Sequence, residues 1–338
     1  MKAWIWLGAF LLLWGQTRLR VGSMVPADSP WEDALNEYIK AVERTLGPGK
    51  VTFRKFLGGQ LGGEVEMVRS VRMGTLDMGM FSIGAMAEGL GMPELLVLEL
   101  PFLFESDEEV DYVMDQLFED FKKRLMEKDV VLIFWGVNGW RHFGCSTKPL
   151  LTPADFKGLK MRAQEAPTYI EMYKALGATP VPLPMTELLM ALKNRMVDGF
   201  DQTVIFSVST GLMGQIKHFT LSRHVYQPGA LVMSKKTFDK LPADIQRALL
   251  VEKERASLQA KGRKLVRDEE QSILASVEKD SGVRFYRLSP QQREAFRKAM
   301  EAAMPRFEAH LGPQGKPLLA LVRAKITEYR KSRSQTKQ

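Results

Sequence analysis

Cysteine is almost missing from this chain: Cys145 stands alone among 338 residues. A single thiol forms no internal disulfide, and it excludes thiolate metal sites, which need several sulfurs. Cys145 also lies far from the N-terminus, which excludes a lipid anchor there; a small buried residue is expected. Histidine is scarce as well. His142, His218, His224 and His310 show no metal-ligand spacing, and no serine or cysteine nucleophile motif is present. The chain therefore reads as a non-enzyme, with no cofactor and no metal expected. Although the net charge is +8, dense blocks of lysine and arginine are absent apart from a short stretch from Arg323 to Lys337. That stretch reads as a solvated basic tail, and nothing matches a nucleic-acid module. The glycine-rich run from Gly58 to Gly63 lacks the Gly-Lys-Ser/Thr ending of a phosphate loop and reads as a turn before a helix.

Long apolar runs are confined to one place. Lys2 precedes an apolar stretch from Trp4 to Trp14, too short to span a bilayer and of the length of a signal peptide. Trp14-Gly15-Gln16 is not a small-x-small cleavage site. Cleavage near Gly15 is expected, with a retained membrane anchor as the alternative, and either implies an exported, periplasmic protein.

What is present is an alternation of strand and helix signals, which predicts an α/β fold. Strands are expected over residues 18–23, 51–57 and 130–137. Helices are expected from Pro30 to Leu46, from Ser106 (capped with Glu109) to about Lys128, and after the caps Thr152-Pro153 and Ser289-Pro290. From Pro242 to Lys279 helix formers dominate, and a single rod of roughly 55 Å is predicted, long enough to run along two domains as a spine. The segments "EMVRSVRMGTLDMG" (66–79) and "ELLMALKNRMVDGF" (187–200) match at an offset of 121 residues. Each reads as an amphipathic helix leading into a strand, which predicts two similar lobes with a cleft between them.

In "GLKMRAQ" (158–164), Leu159 and Met161 alternate with Lys160 and Arg162 ahead of a helix that opens at Pro167. A guanidinium at a strand tip offers a rigid fork of donors that matches a carboxylate. The residues alone leave two roles open for Arg162, a ligand carboxylate or an acidic neighbour.

Taken together, "GGQLGGEVEMVRSVRMGTLDMG" (58–79), "LPFLFES" (100–106), "GWRHFG" (139–144), "TPADFKGLKMR" (152–162), "ALGATPVPLPMTELLMALKNRMVDG" (175–199) and "LPADIQ" (241–246) resemble the solute-binding proteins of tripartite ATP-independent periplasmic (TRAP) transporters, the DctP-like family. The resemblance implies a two-lobed periplasmic solute-binding fold that closes on an organic acid and delivers it to the transporter's membrane permease, driven by an ion gradient. It implies residues 16–138 with 228–268 as one lobe, 139–227 with 269–325 as the other, 1–15 as signal peptide and 326–338 as the basic tail. It also implies that Arg162 makes a bidentate bridge to the ligand carboxylate, with Arg141 as a second contact. Where the family usually has an asparagine on the carboxylate, this chain has Gln202, one methylene longer and followed by Thr203 where a proline is usual. A second reading within the resemblance is a protein working with a periplasmic tetratricopeptide-repeat partner on a hydrophobic ligand.

Nineteen methionines, among them Met73, Met78, Met80, Met86, Met185 and Met190, suggest an adaptable apolar pocket. The expected ligand is a monocarboxylate with an apolar body, such as a branched 2-oxo acid, ahead of a sugar acid. Trp31, Phe81, Trp140, Phe206 and Tyr226 are candidate lining residues.

Overall fold

The structure is a computed structural model that describes residues 16–335; the expected signal segment lies outside the described residues. The chain opens with β1 (Thr17–Ser23), α1 (Pro30–Leu46), β2 (Val51–Phe56), α2 (Glu64–Met73) and β3 (Met78–Ser82). Leu19 and Val21 alternate with Arg18 and Arg20, so β1 buries one face. Ser29 caps α1 by accepting the Glu32 amide, Pro30 takes the first helical position, and Glu32 and Asp33 complement the dipole. β1 pairs in parallel with both β2 and β3.

Next come α3 (Ile83–Leu90), a 3-10 segment (Pro93–Glu99), α4 (Asp107–Gln116), α5 (Phe118–Met126) and β4 (Val130–Cys145). The single helix expected over 106–128 is therefore two, broken at Leu117. The break turns Phe118 and Phe121 onto Trp135 of β4, with ring centroids at 6.3 and 5.4 Å. Only half of the expected capping box forms. Ser106 accepts the Glu109 amide, but the Glu109 carboxylate takes the Glu105 amide and the Arg330 guanidinium instead.

The middle of the chain repeats the opening: β5 (Lys160–Ala163), α6 (Pro167–Ala175), β6 (Thr179–Pro182), α7 (Met185–Lys193), β7 (Gly199–Gln202) and α8 (Val204–Ser209), followed by β8 (His218–Ser234). The strand order β2-β1-β3-β8-β4-β7-β5-β6 reads the same architecture outward from both sides of the β8/β4 pair. The 121-residue offset seen in the sequence carries Phe81 onto Gln202 and Ser82 onto Thr203. Ser82 caps α3 and Thr203 caps α8, each accepting an amide three residues on.

β4 and β8 run antiparallel through both lobes. In the first lobe β3 flanks β8, and in the second β7 flanks β4. Between them the pairing shifts register at Val137/Gly139 and again at Arg141/Phe143. Gly139 sits at φ +111°, a conformation side chains oppose. The strand expected over 130–137 is thus the first half of one that crosses from lobe to lobe.

The chain closes with α9 (Lys235–Phe238), α10 (Ala243–Leu250), α11 (Arg255–Asp280), β9 (Arg284–Arg287), α12 (Pro290–Ala309) and α13 (Gly315–Gln335). The predicted rod over 242–279 breaks at Val251, which takes the left-handed φ of +42°. That kink lets α10 fold back so that Ile245 and Leu249 join Tyr38 and Leu231 in the core. α11 alone is 26 residues, about 39 Å, and packs on α1, β4 and α8, so it does run along both lobes. The expected basic tail is helical as far as it is described, and its residues from Thr327 to Gln335 are exposed apart from half-buried Tyr329. α13 continues to Gln335, burying Leu318, Leu319, Val322 and Ile326 on one stripe. This helix packs on α4 and the 3-10 segment, elements of the opening part of the chain. No helix among the described residues is long and apolar enough to cross a membrane.

Candidate functional site

β5 ends in Arg162-Ala163 between β6 and β7, and a parallel strand's carboxyl end opens onto the crevice where α/β folds bind ligands. Arg162 is 3% exposed. Its Nε and Nη2 both donate to the Leu183 carbonyl, at 3.0 and 2.8 Å, which fixes the guanidinium plane. Among the described residues no carboxylate forms an ion pair with it. Burial and the neighbouring Arg141 charge pull its pKa down to about 10. With no acidic neighbour among the described residues in an ion pair with this cation, the ligand role is left open to it.

Arg141 is different. Its Nε meets Asp201 Oδ2 at 2.5 Å, and its Nη2 donates to the Asp201 carbonyl at 2.6 Å. Burial acts against both charges, but Arg141 and then His224 hold the Asp201 carboxyl far below the usual range. Tyr173 donates to the other Asp201 oxygen, and His224 Nε2 lies 3.5 Å from Oδ2. Arg141 lines the cleft with its charge already matched; its Nη1 donates to Gln227 Oε1 at 2.8 Å.

Gln202 absorbs its extra methylene by folding back. Its Oε1 accepts the Thr203 amide at 2.8 Å and Arg141 Nη1 at 3.5 Å. With the oxygen held, the Nε2 protons face the cleft, where the Met185 sulfur at 3.9 Å is the acceptor. Arg162 and Gln202 both line this cleft.

Trp31, Phe81 and Met185 line the cleft. Trp31 is locked by a 2.7 Å bond from Nε1 to the Val137 carbonyl and reaches Phe206 of α8, ring centroids 5.9 Å apart. Tyr226 does not line it. Gln227 faces the cleft, so its neighbour on the strand faces away; Tyr226 packs on Trp140 at 5.0 Å and bonds to Arg267. Trp140 goes with it. Of the six methionines singled out, Met80 and Met185 line the cleft, Met78 and Met86 are core, and Met73 and Met190 are exposed.

Sequence reasoning missed Met24, Glu64, Ser82, Gln164 and Gln227, which all line the cleft. Glu64 accepts both the Ser82 amide (2.7 Å) and its hydroxyl (2.9 Å), while burial pushes its carboxyl up. Gln164 donates to Ser82 and accepts from Gln227, and Tyr169 hands the network on to buried Glu99. The available signal was parity: Gln164 stands two residues beyond Arg162 on the same face of the strand.

Residues 21–310 match the family described as bacterial extracellular solute-binding protein, family 7. The 2,3-diketo-L-gulonate-binding periplasmic protein YiaO of Escherichia coli (strain K12) is 31% identical over 94% of this chain and 92% of that protein. Among solved structures, a TRAP periplasmic solute-binding protein from Sulfitobacter sp. NAS-14.1 with bound β-D-galacturonate superposes with a TM-score of 0.84 at 27% identity, covering 91% of this chain and all of that one. Another, from Sulfurospirillum deleyianum DSM 6946 with bound succinate, gives a TM-score of 0.83 at 27% identity, covering 91% and 99%. These relatives lend no support to the reading that requires a tetratricopeptide-repeat partner. A two-lobed α/β chain with a cleft built around an unmatched arginine, aligned nearly end to end with TRAP solute-binding proteins, belongs to the bacterial extracellular solute-binding protein family 7, a non-enzymatic transport class.

Proposed function

We propose that this protein captures a singly charged organic acid, holding its carboxylate on Arg162 and the Gln202 amide, and delivers it to the membrane permease of a TRAP transporter. The observation that carries this is Arg162: a buried guanidinium, braced on a carbonyl, with no ion-pair partner among the described residues. A carboxylate entering the cleft supplies the missing charge, and water exclusion strengthens the pair. The charge count supports a monoanion. Arg141 is matched by Asp201, and Arg263, the remaining cleft-lining arginine, is taken up by Asp115 and Asp111. A second carboxylate would instead meet Glu64. The relatives bound to galacturonate and succinate support the organic-acid class. Ser82, Gln164 and Glu64 suit a hydroxyl or keto oxygen next to the carboxylate, since they offer both donors and acceptors.

Calorimetry with a panel of hydroxy, oxo, sugar and dicarboxylic acids tests it. Arg162→Ala is expected to weaken binding by roughly thirtyfold to several thousandfold, the cost of breaking a buried charge pair of about 2–5 kcal/mol. Undiminished binding in that variant, or preference for a dianion, would overturn the reading.

A further inference from the structure

The cleft does not stop at its polar end. One continuous cavity is lined by Arg162, Gln202 and Glu64 and also by Leu35, Phe134, Leu231 and Leu258. Leu35, Phe134 and Leu231 belong to the core cluster on the other side of the first lobe, between the sheet and helix α1, and Leu258 of α11 packs against it. Gly136 of β4 and Gly229 of β8, which carry no side chains, line the narrow part between the two sets of walls. Gly136 and Gly229 are register partners across the two strands. An added Cβ at Gly136 would meet nothing closer than the Gly229 backbone at 3.7 Å, and one at Gly229 nothing closer than 3.4 Å. Beyond that neck, α1 offers Trp31, Ala34 and Leu35, three positions of a single helical face, and α11 offers Leu258, Gly262 and Val266, spaced four apart. The one charged side chain on that stretch of α11 that faces the cavity is Arg263. Its fork is occupied by Asp115, with Asp111 at 3.2 Å from Nε, so it presents its aliphatic stem.

We propose that this apolar gallery is the tail site, and that the ligand is an acid whose carboxylate sits on Arg162 while a hydrocarbon chain passes the Gly136/Gly229 neck toward Leu258. This rests on the organic-acid reading of the cleft and names its substrate class. The head and the tail have separate walls. Polar groups crowd the end near Ser82, and the gallery walls are Trp, Leu, Phe and Val. A polyhydroxylated chain entering that part would leave its hydroxyls without partners, which costs more than the contacts return. A methylene chain gains transfer free energy at every carbon.

The test is calorimetry on the purified full chain with straight-chain 2-hydroxy acids of about four to about ten carbons; affinity should rise about fourfold for each methylene until the gallery is full. Gly136→Val, which fills the neck, and Leu258→Gln, which makes the far wall polar, should each flatten that rise. Leu258 is half-buried on a helix surface, so its replacement keeps the test valid should the neck variant fold poorly. A flat series in the unmodified protein overturns the gallery, as does an unchanged slope in folded Leu258→Gln. Short acids that bind through Arg162 without any chain-length gain would sink the gallery alone. Absence of binding at every length would sink the organic-acid reading with it.

Discussion

Arg141 and Arg162 are both buried and both line the cleft, yet they sit in opposite electrostatic surroundings. Asp201→Asn should expose the difference. It strips Arg141 of its counter-charge inside the protein and is expected to cost about 3–5 kcal/mol, read as a shift in the urea midpoint. Because the folded Asp201 carboxyl titrates far below its ordinary 3.8, its contribution is present above that value and lost as pH falls below it. Glu99 has the opposite sign. Burial pushes it to about 7, against the Tyr169 hydroxyl that bonds to it. Between 4.5 and 7 the folded protein holds a proton that the unfolded chain releases, so stability declines as pH rises through that window. Glu270, also pushed by burial to about 7, titrates in the same range. The Glu99 share is therefore the difference in slope between the unmodified protein and Glu99→Gln, which should be shallower; equal slopes would contradict the assignment. At this scale the strand motif placed Arg162 at a strand tip and left its role open, and the family resemblance pointed to a ligand. The facing of Tyr226 was not legible. Register shifts in β4 at Val137/Gly139 and Arg141/Phe143 reset which residues of the crossing pair look into the cleft, and local spacing carries no trace of them.

Helices were easier to locate than to delimit. Caps and prolines marked where α1 and α12 begin, since those signals are local hydrogen-bond chemistry. The breaks at Leu117 and Val251 have no glycine or proline to announce them; both exist because the chain turns apolar side chains back onto the sheet. α13 was misread for a related reason: its basic residues dominate the composition, while its buried stripe is a minority of positions. Native-state trypsin treatment checks the corrected reading. Cleavage at Arg323 and Lys325 should be slow, because Val322 and Ile326 hold that turn against the rest of the protein. Rapid loss of the segment after Arg323 would argue for the solvated tail instead.

For the molecule as a whole, the mirrored strand order was foreshadowed by the faint repeat, and the offset that relates the two segments also relates Phe81 to Gln202 in the cleft. Trp31 on α1 and Phe206 on α8 touch across that cleft. A ligand filling the space beneath them should bind the folded chain alone, so a hundredfold excess over Kd should add about 2.7 kcal/mol to stability, seen as a rise in Tm. An acid that binds by calorimetry without raising Tm would indicate a site elsewhere. The two long strands β4 and β8 have a further consequence. Since each contributes to both lobes, no uninterrupted stretch of the gene encodes either one. A nascent chain leaving the ribosome must wait for β8, about two thirds of the way along, before its first half can complete its sheet. Neither lobe of this chain can be cut out at a codon boundary and expected to fold.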